Sequence, residues 1–224
     1  MKLLAIETST IACSVALYDQ KQIIEQYIVA PREHATRILT MVEEVLTEGG
    51  YTLNQLDALV FARGPGSFTG LRIAASVIQG LAISADLPVI PVSTLAILAQ
   101  GAYRTMGAEQ VLTALDARMQ EIYWAGFCLN PDSVLMQPVI AETVVAPERV
   151  EQPKLTNWYG IGNGWESYRH VLLQRIPLVE QKINAGFFPH AQDSLVFALN
   201  EFKAGRAVSA EHAVPVYLRN KVTN

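Results

Sequence analysis

The stretch from Leu56 to Ala85 constrains this chain more than any other. Leu56–Ala62 is apolar apart from Asp57 and does not alternate. That is the pattern of a strand covered on both faces, as in a parallel sheet with helices on either side. The strand runs into Arg63-Gly64-Pro65-Gly66-Ser67-Phe68-Thr69-Gly70, a glycine-rich turn, and then into a predicted helix from about Thr69 to Ala85. In that helix Leu71, Ile73, Val77, Ile78, Leu81 and Ile83 are interleaved with Ala74, Ala75, Ser76, Gly80, Ala82 and Ser84, and Arg72 is the one charge. A helix apolar nearly all round must be covered nearly all round, by its own core or by another subunit. Its small residues would let a second backbone come close.

The rest of the chain supplies a matching frame. Lys2–Glu7, Cys13–Tyr18 and Gln22–Ala30 read as strands joined by tight turns, hence as antiparallel neighbours. In Pro31–Gly50, Ala35, Ile38, Leu39, Val42, Val45 and Leu46 fall on one helical face, with Arg37, Thr40, Glu43 and Glu44 on the polar side and Gly49-Gly50 as the stop. Pro88–Val92 is a further strand and Thr94–Tyr103 a further helix. After Gly107 the order partly repeats. Strands are predicted at Gln110–Leu115, Ile122–Cys128, Val134–Ile140 and Trp158–Ile161, with a short helix opening at Pro147, a helix from the Gly160–Gly164 turn to about Arg175, and a last helix over Ala191–Lys203. Two halves of this order are the ground plan of the α/β actin-like fold, the ASKHA or ribonuclease H-like class, with two lobes and the second shortened. The boundary is expected near residue 105, giving an N-terminal lobe of 1–105 and a C-terminal lobe of 106–224.

Composition narrows the function. Half of the 224 residues are hydrophobic and 17% are charged, which provides for a packed core and excludes a disordered chain. The formal net charge is −4 and no cluster of Lys and Arg stands out, so the chain lacks the basic patch of a protein that grips a phosphate backbone by itself. Any contact with RNA would be indirect. Glu7 interrupts the apolar N-terminus too early for a signal peptide. The longest uncharged run, Leu87–Tyr103, is broken by Pro88 and Pro91 and is too short to span a bilayer. The expectation is a soluble cytoplasmic protein without a membrane contact. Cys13 and Cys128 fit no paired motif and read as buried thiols of a reducing compartment.

Residues that could carry chemistry are few. Glu7-Thr8-Ser9-Thr10 closes the first strand, and Gly66 and Ser67 open the second helix. Helix N-termini bind anions, so Glu7, Thr8, Ser9, Gly66 and Ser67 form a candidate nucleotide site. The same residues also suit a tight turn with close packing. The turn lacks the GK[ST] ending of a P-loop. Gly160-Ile161-Gly162-Asn163-Gly164 lacks the spacing of a dinucleotide fingerprint and suits a turn that opens a helix. Asp116-Ala117-Arg118 after a strand suits either a site or a turn salt bridge. His34, His170, His190 and His212 offer no pair at metal-binding helical spacing, and neither HExxH nor GxSxG occurs. No catalytic or metal-ligating residue is assigned.

Several segments carry a family resemblance together. They are Ile6-Glu7-Thr8-Ser9, the run LDALVFARGPGSFTGL over Leu56–Leu71, Asp116-Ala117-Arg118 ahead of Glu121-Ile122-Tyr123, and Pro215-Val216-Tyr217-Leu218-Arg219. On these the chain resembles the TsaB (YeaZ) family over its whole length. The resemblance implies an actin-like relative of the catalytic subunit TsaD. It would pair with TsaD and be joined by the ATPase TsaE. The complex transfers a threonylcarbamoyl group to adenosine 37 of tRNAs that read codons beginning with A. The implied role is a non-catalytic scaffold or activator, with tRNA reached only through the complex. ATP or ADP is expected, if anywhere, at the complex interface. Where TsaD carries two metal-binding histidines, this chain has Thr94 and Leu98, and Leu98 cannot ligate a metal. The resemblance also places the contact on the first two helices, here Ile38, Leu39, Val42, Leu71, Ala74, Ala75, Val77 and Ile78, and implies a homodimer through the same surface when TsaD is missing. The rival readings are a nucleotide-binding ATPase or kinase-like enzyme of the same superfamily and, further off, a glycoprotease-like metallopeptidase.

Overall fold

The computed structural model describes residues 1–20, 22–154 and 156–219. In chain order its elements are β1 (Leu3–Glu7), β2 (Ala12–Tyr18), β3 (Ile23–Val29), α1 (His34–Gly49), β4 (Ala58–Gly64), α2 (Phe68–Ala85), β5 (Val89–Ser93), α3 (Thr94–Met106), β6 (Gln110–Asp116), β7 (Ile122–Asn130), β8 (Leu135–Val145), β9 (Tyr159–Ile161), α4 (Gly164–Ser167), α5 (Arg169–Arg175), β10 (Ile183–Asn184) and α6 (Ala191–Lys203). They form two compact units, Met1–Ile97 with Pro189–Val216, and Leu98–Phe188 with the chain end from Tyr217.

The first unit is built on a five-stranded sheet of order β3-β2-β1-β4-β5. β1, β2 and β3 are antiparallel neighbours, while β4 runs parallel to both β1 and β5. Side chains alternate across the sheet. Leu4, Ile6, Leu59 and Phe61 pack with Ile38, Val42 and Val45 of α1 and with Ala74, Ile78 and Ala82 of α2. Leu3, Ala5, Val60 and Ala62 pack on the opposite face with Ala191, Leu195 and Ala198 of α6. This double cover is why Ala58–Ala62 of β4 reads as an unbroken apolar run. By length and composition α2 could cross a membrane. Here one side of it packs in the core, with Leu71, Ala74, Ala75, Ile78 and Ala82 buried.

The second unit repeats the topology. Its sheet has the order β10-β9-β6-β7-β8, with β6, β7 and β8 antiparallel and β9 parallel to β6 and β10. The shortening expected from the sequence lies in the two last strands: β9 has three residues and β10 two. Such strands carry too few residues to show a period, and β10 has no sequence signal of its own. β8 extends to Val145, beyond the expected end at Ile140. The helix expected to run to Arg175 is two helices, α4 and α5, broken at Tyr168 (φ −124°, ψ 28°). Trp124, Trp158 and Trp165 fill this core, and the Trp165 indole N–H donates to the Leu112 carbonyl at 3.0 Å.

α6 follows the second sheet in sequence but belongs with the first, and its start shows why. Its N-cap, His190, makes no side-chain cap hydrogen bond. Strand residues satisfy the helix instead. The Ala191 N–H donates to Ser14 Oγ at 3.0 Å and the Gln192 N–H donates to Glu25 Oε1 at 3.1 Å. Ser14 Oγ donates in turn to Glu25 Oε1 at 2.8 Å, and His190 Nδ1 lies 3.0 Å from Glu25 Oε2 with its ring stacked on Tyr27. Burial alone would raise the Glu25 pKa, but hydrogen bonds from His190, the Gln192 N–H and Ser14 hold it below its ordinary 4.5. A lowered folded-state pKa stabilises the fold above the unfolded value and ceases to do so as pH falls through the folded one. Glu25→Gln is therefore expected to cost about 2 kcal/mol at neutral pH, the scale of a hydrogen bond to a charged group. Urea unfolding of both proteins should show that difference shrinking below the pH 4.5 of the unfolded carboxyl.

Candidate functional site

Two features of the first unit stand out: a joint beneath the start of α2 and the outer face of α1 and α2. At the joint, β1 ends in Glu7, and Glu7, Thr8 and Ser9 are all buried. Its parallel neighbour β4 delivers the glycine-rich turn onto them. The Ser67 N–H donates to the Ser9 carbonyl at 2.7 Å, and Thr8 Oγ1 donates to the Gly70 carbonyl at 2.8 Å. The glycines are there because backbones meet. A Cβ on Gly66 would stand 2.4 Å from the Ser9 carbonyl oxygen, and one on Gly70 1.9 Å from that of Thr8. Glu7, Thr8, Ser9, Gly66 and Ser67 are thus brought together, in contact with one another. The helix N-terminus is served from within the chain, since Ser67 Oγ also accepts from the Gly70 N–H at 3.4 Å.

Electrostatically the joint is unusual. The Ser9 N–H donates to Glu7 Oε1 at 2.5 Å, while Glu7 Oε2 and the Ser9 hydroxyl oxygen are buried without a hydrogen-bond partner. Burial pushes the Glu7 pKa up to about 7, and the hydrogen bond from the Ser9 N–H only partly offsets it. Cys13 is a buried free thiol, pushed up to about 11 by burial and by Glu7, so it stays protonated. Thr94 and Leu98 lie buried on α3, and the Thr94 hydroxyl oxygen has no partner. Among the described residues no group of three or more His, Cys, Asp or Glu side chains is placed to hold a metal ion.

The outer face of the helices differs from the sequence expectation in its membership. Ile38, Val42, Leu71, Ala74, Ala75 and Ile78 turn into the chain's own core, each at most 5% exposed. The side of α2 that meets its own sheet lies opposite its few polar residues, since Thr69, Arg72, Ser76 and Ser84 are all exposed. What remains accessible is Leu39 at 56% and Val77, together with Ile73, Gly80, Leu81 and Ile83 of α2. Gly80 is the telling member. A Cβ there would meet nothing within 4 Å, so nothing inside the chain requires its glycine. A helix-interior glycine costs about 1 kcal/mol relative to alanine.

In the second unit, two segments far apart in sequence meet. Arg118 pairs with Asp116 through its N–H at 2.8 Å and its guanidinium at 3.2 Å, which makes that motif a turn salt bridge. Arg118, Met119 and Gln120 are successive residues with positive φ. Arg219 of the chain end reaches back to Glu121 at 2.5 Å and to the Arg118 carbonyl at 3.4 Å, which holds the turn. The Gly160–Gly164 turn is also a packing device: a Cβ on Gly162, at φ +100°, would stand 2.5 Å from the Ala114 carbonyl oxygen. The Ser14–Glu25–His190 cluster and the open space at Gly80 escape sequence reading. No spacing links residues 14, 25 and 190, and one glycine among many small residues carries no period.

Two sheets of the same strand order, one complete and one abbreviated, define a two-lobed actin-like protein of the ribonuclease H-like class. A family model described as "TsaD: tRNA N6-adenosine threonylcarbamoyltransferase" matches residues 16–223. The tRNA threonylcarbamoyladenosine biosynthesis protein TsaB of Escherichia coli is 42% identical, over 99% of this chain and 96% of that protein. Its namesake in Haemophilus influenzae is 39% identical, over 100% of this chain and 95% of that protein. The solved structure of YeaZ from Pseudomonas aeruginosa matches at a TM-score of 0.89 and 46% identity, covering 97% of this chain and 99% of that one. The chain belongs to the TsaB family of tRNA threonylcarbamoyladenosine biosynthesis proteins.

Proposed function

We propose that this chain is a non-catalytic subunit of the threonylcarbamoyladenosine machinery. It docks on TsaD through the outer face of α1 and α2 and supports the transfer that TsaD performs on adenosine 37, with TsaE as the further partner. The observation that carries this reading is Gly80, a glycine in the middle of an exposed helix face with open space where its side chain would be. Ile73, Val77, Leu81 and Ile83 of the same helix are also accessible, as is Leu39 of α1. Leu39, Gly80 and Ile83 are exposed, and Ile73, Val77 and Leu81 pack only in part against the chain's own core; small and apolar side chains so placed suit the close approach of another helix, and the apolar area covered would contribute about 25 cal/mol per Å2. The contact set proposed is this outer row, with Ile38, Val42, Leu71, Ala74, Ala75 and Ile78 supporting it from beneath. When TsaD is missing, the same face would pair two copies.

Reconstitution tests the role. Threonylcarbamoyl transfer to tRNA is measured with TsaD and TsaE, with and without this chain. Transfer is expected only when the chain is present, and none from the chain alone. Full transfer in its absence, or ATP turnover by the isolated chain, would overturn the reading and favour an enzyme of the same superfamily.

A further inference from the structure

The edge strand of a sheet carries unpaired N–H and C=O groups that invite pairing with another chain, and proteins blunt such edges. The edges here are not treated alike. β5 is closed by an antiparallel bridge in which Val89 and Val208 exchange N–H···O bonds at 2.8 Å. β10 has only two residues. β8 contains Pro138, and its pairing with β7 shifts register on both sides of Gly126. β3 has none of these protections. It is seven residues, Ile-Ile-Glu-Gln-Tyr-Ile-Val, in unbroken register with β2, without Pro, Gly, Lys or Arg. Among the described residues no strand lies on its far side. Ile23 and Val29 at its two ends are 45% and 47% exposed.

We propose that β3 pairs antiparallel with β3 of a second copy about a two-fold axis at Gln26, which joins the two sheets edge to edge. The sequence of the strand selects the register. Centred on Gln26, the seam sets Ile23 opposite Val29 and Ile24 opposite Ile28, so each apolar residue meets an apolar one on the same face. Gln26 meets its own copy, amide to amide. Glu25 falls opposite Tyr27, and its carboxylate is already held by Ser14, His190 and Gln192, so no free charge enters the seam. A seam centred on Glu25 would set that carboxylate against its own copy, and like charges directly opposed are destabilising. A seam centred on Tyr27 would set Glu25 against Val29 and Gln26 against Ile28. This surface is separate from the outer row of α1 and α2 and stands whether or not that row binds TsaD.

The test is disulfide trapping in the full-length chain carrying Cys128→Ser, with buried Cys13 left in place. Opposed residues of an antiparallel pair have Cα atoms about 4.5–5.5 Å apart, within disulfide reach. Gln26→Cys is expected to give a covalent dimer under mild oxidation. Ile23→Cys and Val29→Cys should each give no covalent dimer alone, read on a denaturing non-reducing gel, and cross-link when mixed. Adding Ile23→Lys to Gln26→Cys should slow the cross-link at least tenfold. If Gln26→Cys links no faster than Ile23→Cys alone, or if all three variants link equally, the seam does not exist.

Discussion

Gly80→Arg is expected to leave the chain folded and to weaken its binding to TsaD about 100-fold or more, an affinity loss of about 3 kcal/mol. Gly80→Ala is expected to do the reverse to the isolated chain and raise its stability by up to about 1 kcal/mol. Both follow from the same geometry. A Cβ at Gly80 meets nothing inside the chain, so alanine removes the entropic cost of a helical glycine without a clash, and arginine can extend into solvent. In the complex the same position would sit where two helices approach. There a long cation has no room and no partner, and overpacking together with an unpaired buried charge each cost several-fold in affinity. Urea unfolding of the isolated variants and sedimentation or calorimetry with TsaD separate the two effects. Unchanged TsaD affinity in Gly80→Arg would move the contact elsewhere on the protein. The neighbouring Ala75 could not serve in this test, because its side chain is buried in the chain's own core and a charge there would unfold the monomer.

That difference between Gly80 and Ala75 marks the limit of what the sequence makes legible. β4 can be read as doubly covered because every residue from Ala58 to Ala62 is apolar, and α1 can be oriented because its period separates Ile38, Val42 and Val45 from Glu43 and Glu44. α2 is harder to orient because its polar residues are few, yet Thr69, Arg72, Ser76 and Ser84 share one helical stripe and all of them are exposed, opposite buried Leu71, Ala74, Ala75, Ile78 and Ala82. The glycine-rich turn is legible as special, but two physical demands, holding an anion and letting backbones meet, select the same residues. Distances of 2.4 and 1.9 Å from a Cβ on Gly66 or Gly70 to the β1–β2 turn show the second demand at work. The second lobe is legible as a faded repeat because β6 and β7 keep their apolar runs, whereas β10 at two residues is defined only by its neighbour β9. The Glu121–Arg219 pair joins residues 98 apart, which only the folded chain reveals.

Glu7→Gln is expected to gain about 3 kcal/mol of stability relative to the native protein as pH is raised from 4.5 to about 7, and to gain nothing further above that. The sign follows from the direction in which burial moves the carboxyl. The unfolded Glu7 carboxyl ionises at about 4.5 and the folded one at about 7, because burial disfavours its charge. Below 4.5 both states hold the proton and Glu7 makes no pH-dependent difference. Between the two values the unfolded chain releases a proton that the folded chain keeps, so native stability declines with rising pH. Above 7 both states are ionised and the loss is complete, each pH step of one between the two values having contributed roughly 1.4 kcal/mol. Glutamine does not titrate, and other groups such as Glu25 cancel in the comparison because both proteins carry them. In the Glu7→Gln variant the amide oxygen can still accept the Ser9 N–H, but the amide donor arrives beside the unpartnered Ser9 hydroxyl, so the variant's absolute stability at low pH is set by whether that pair forms. The pH-dependent difference is free of this offset. Urea midpoints of both proteins at pH 4.5, 6 and 8, with equal m values, measure it; parallel curves across that range would mean that Glu7 is ionised in the fold and that the joint beneath α2 tolerates a buried carboxylate.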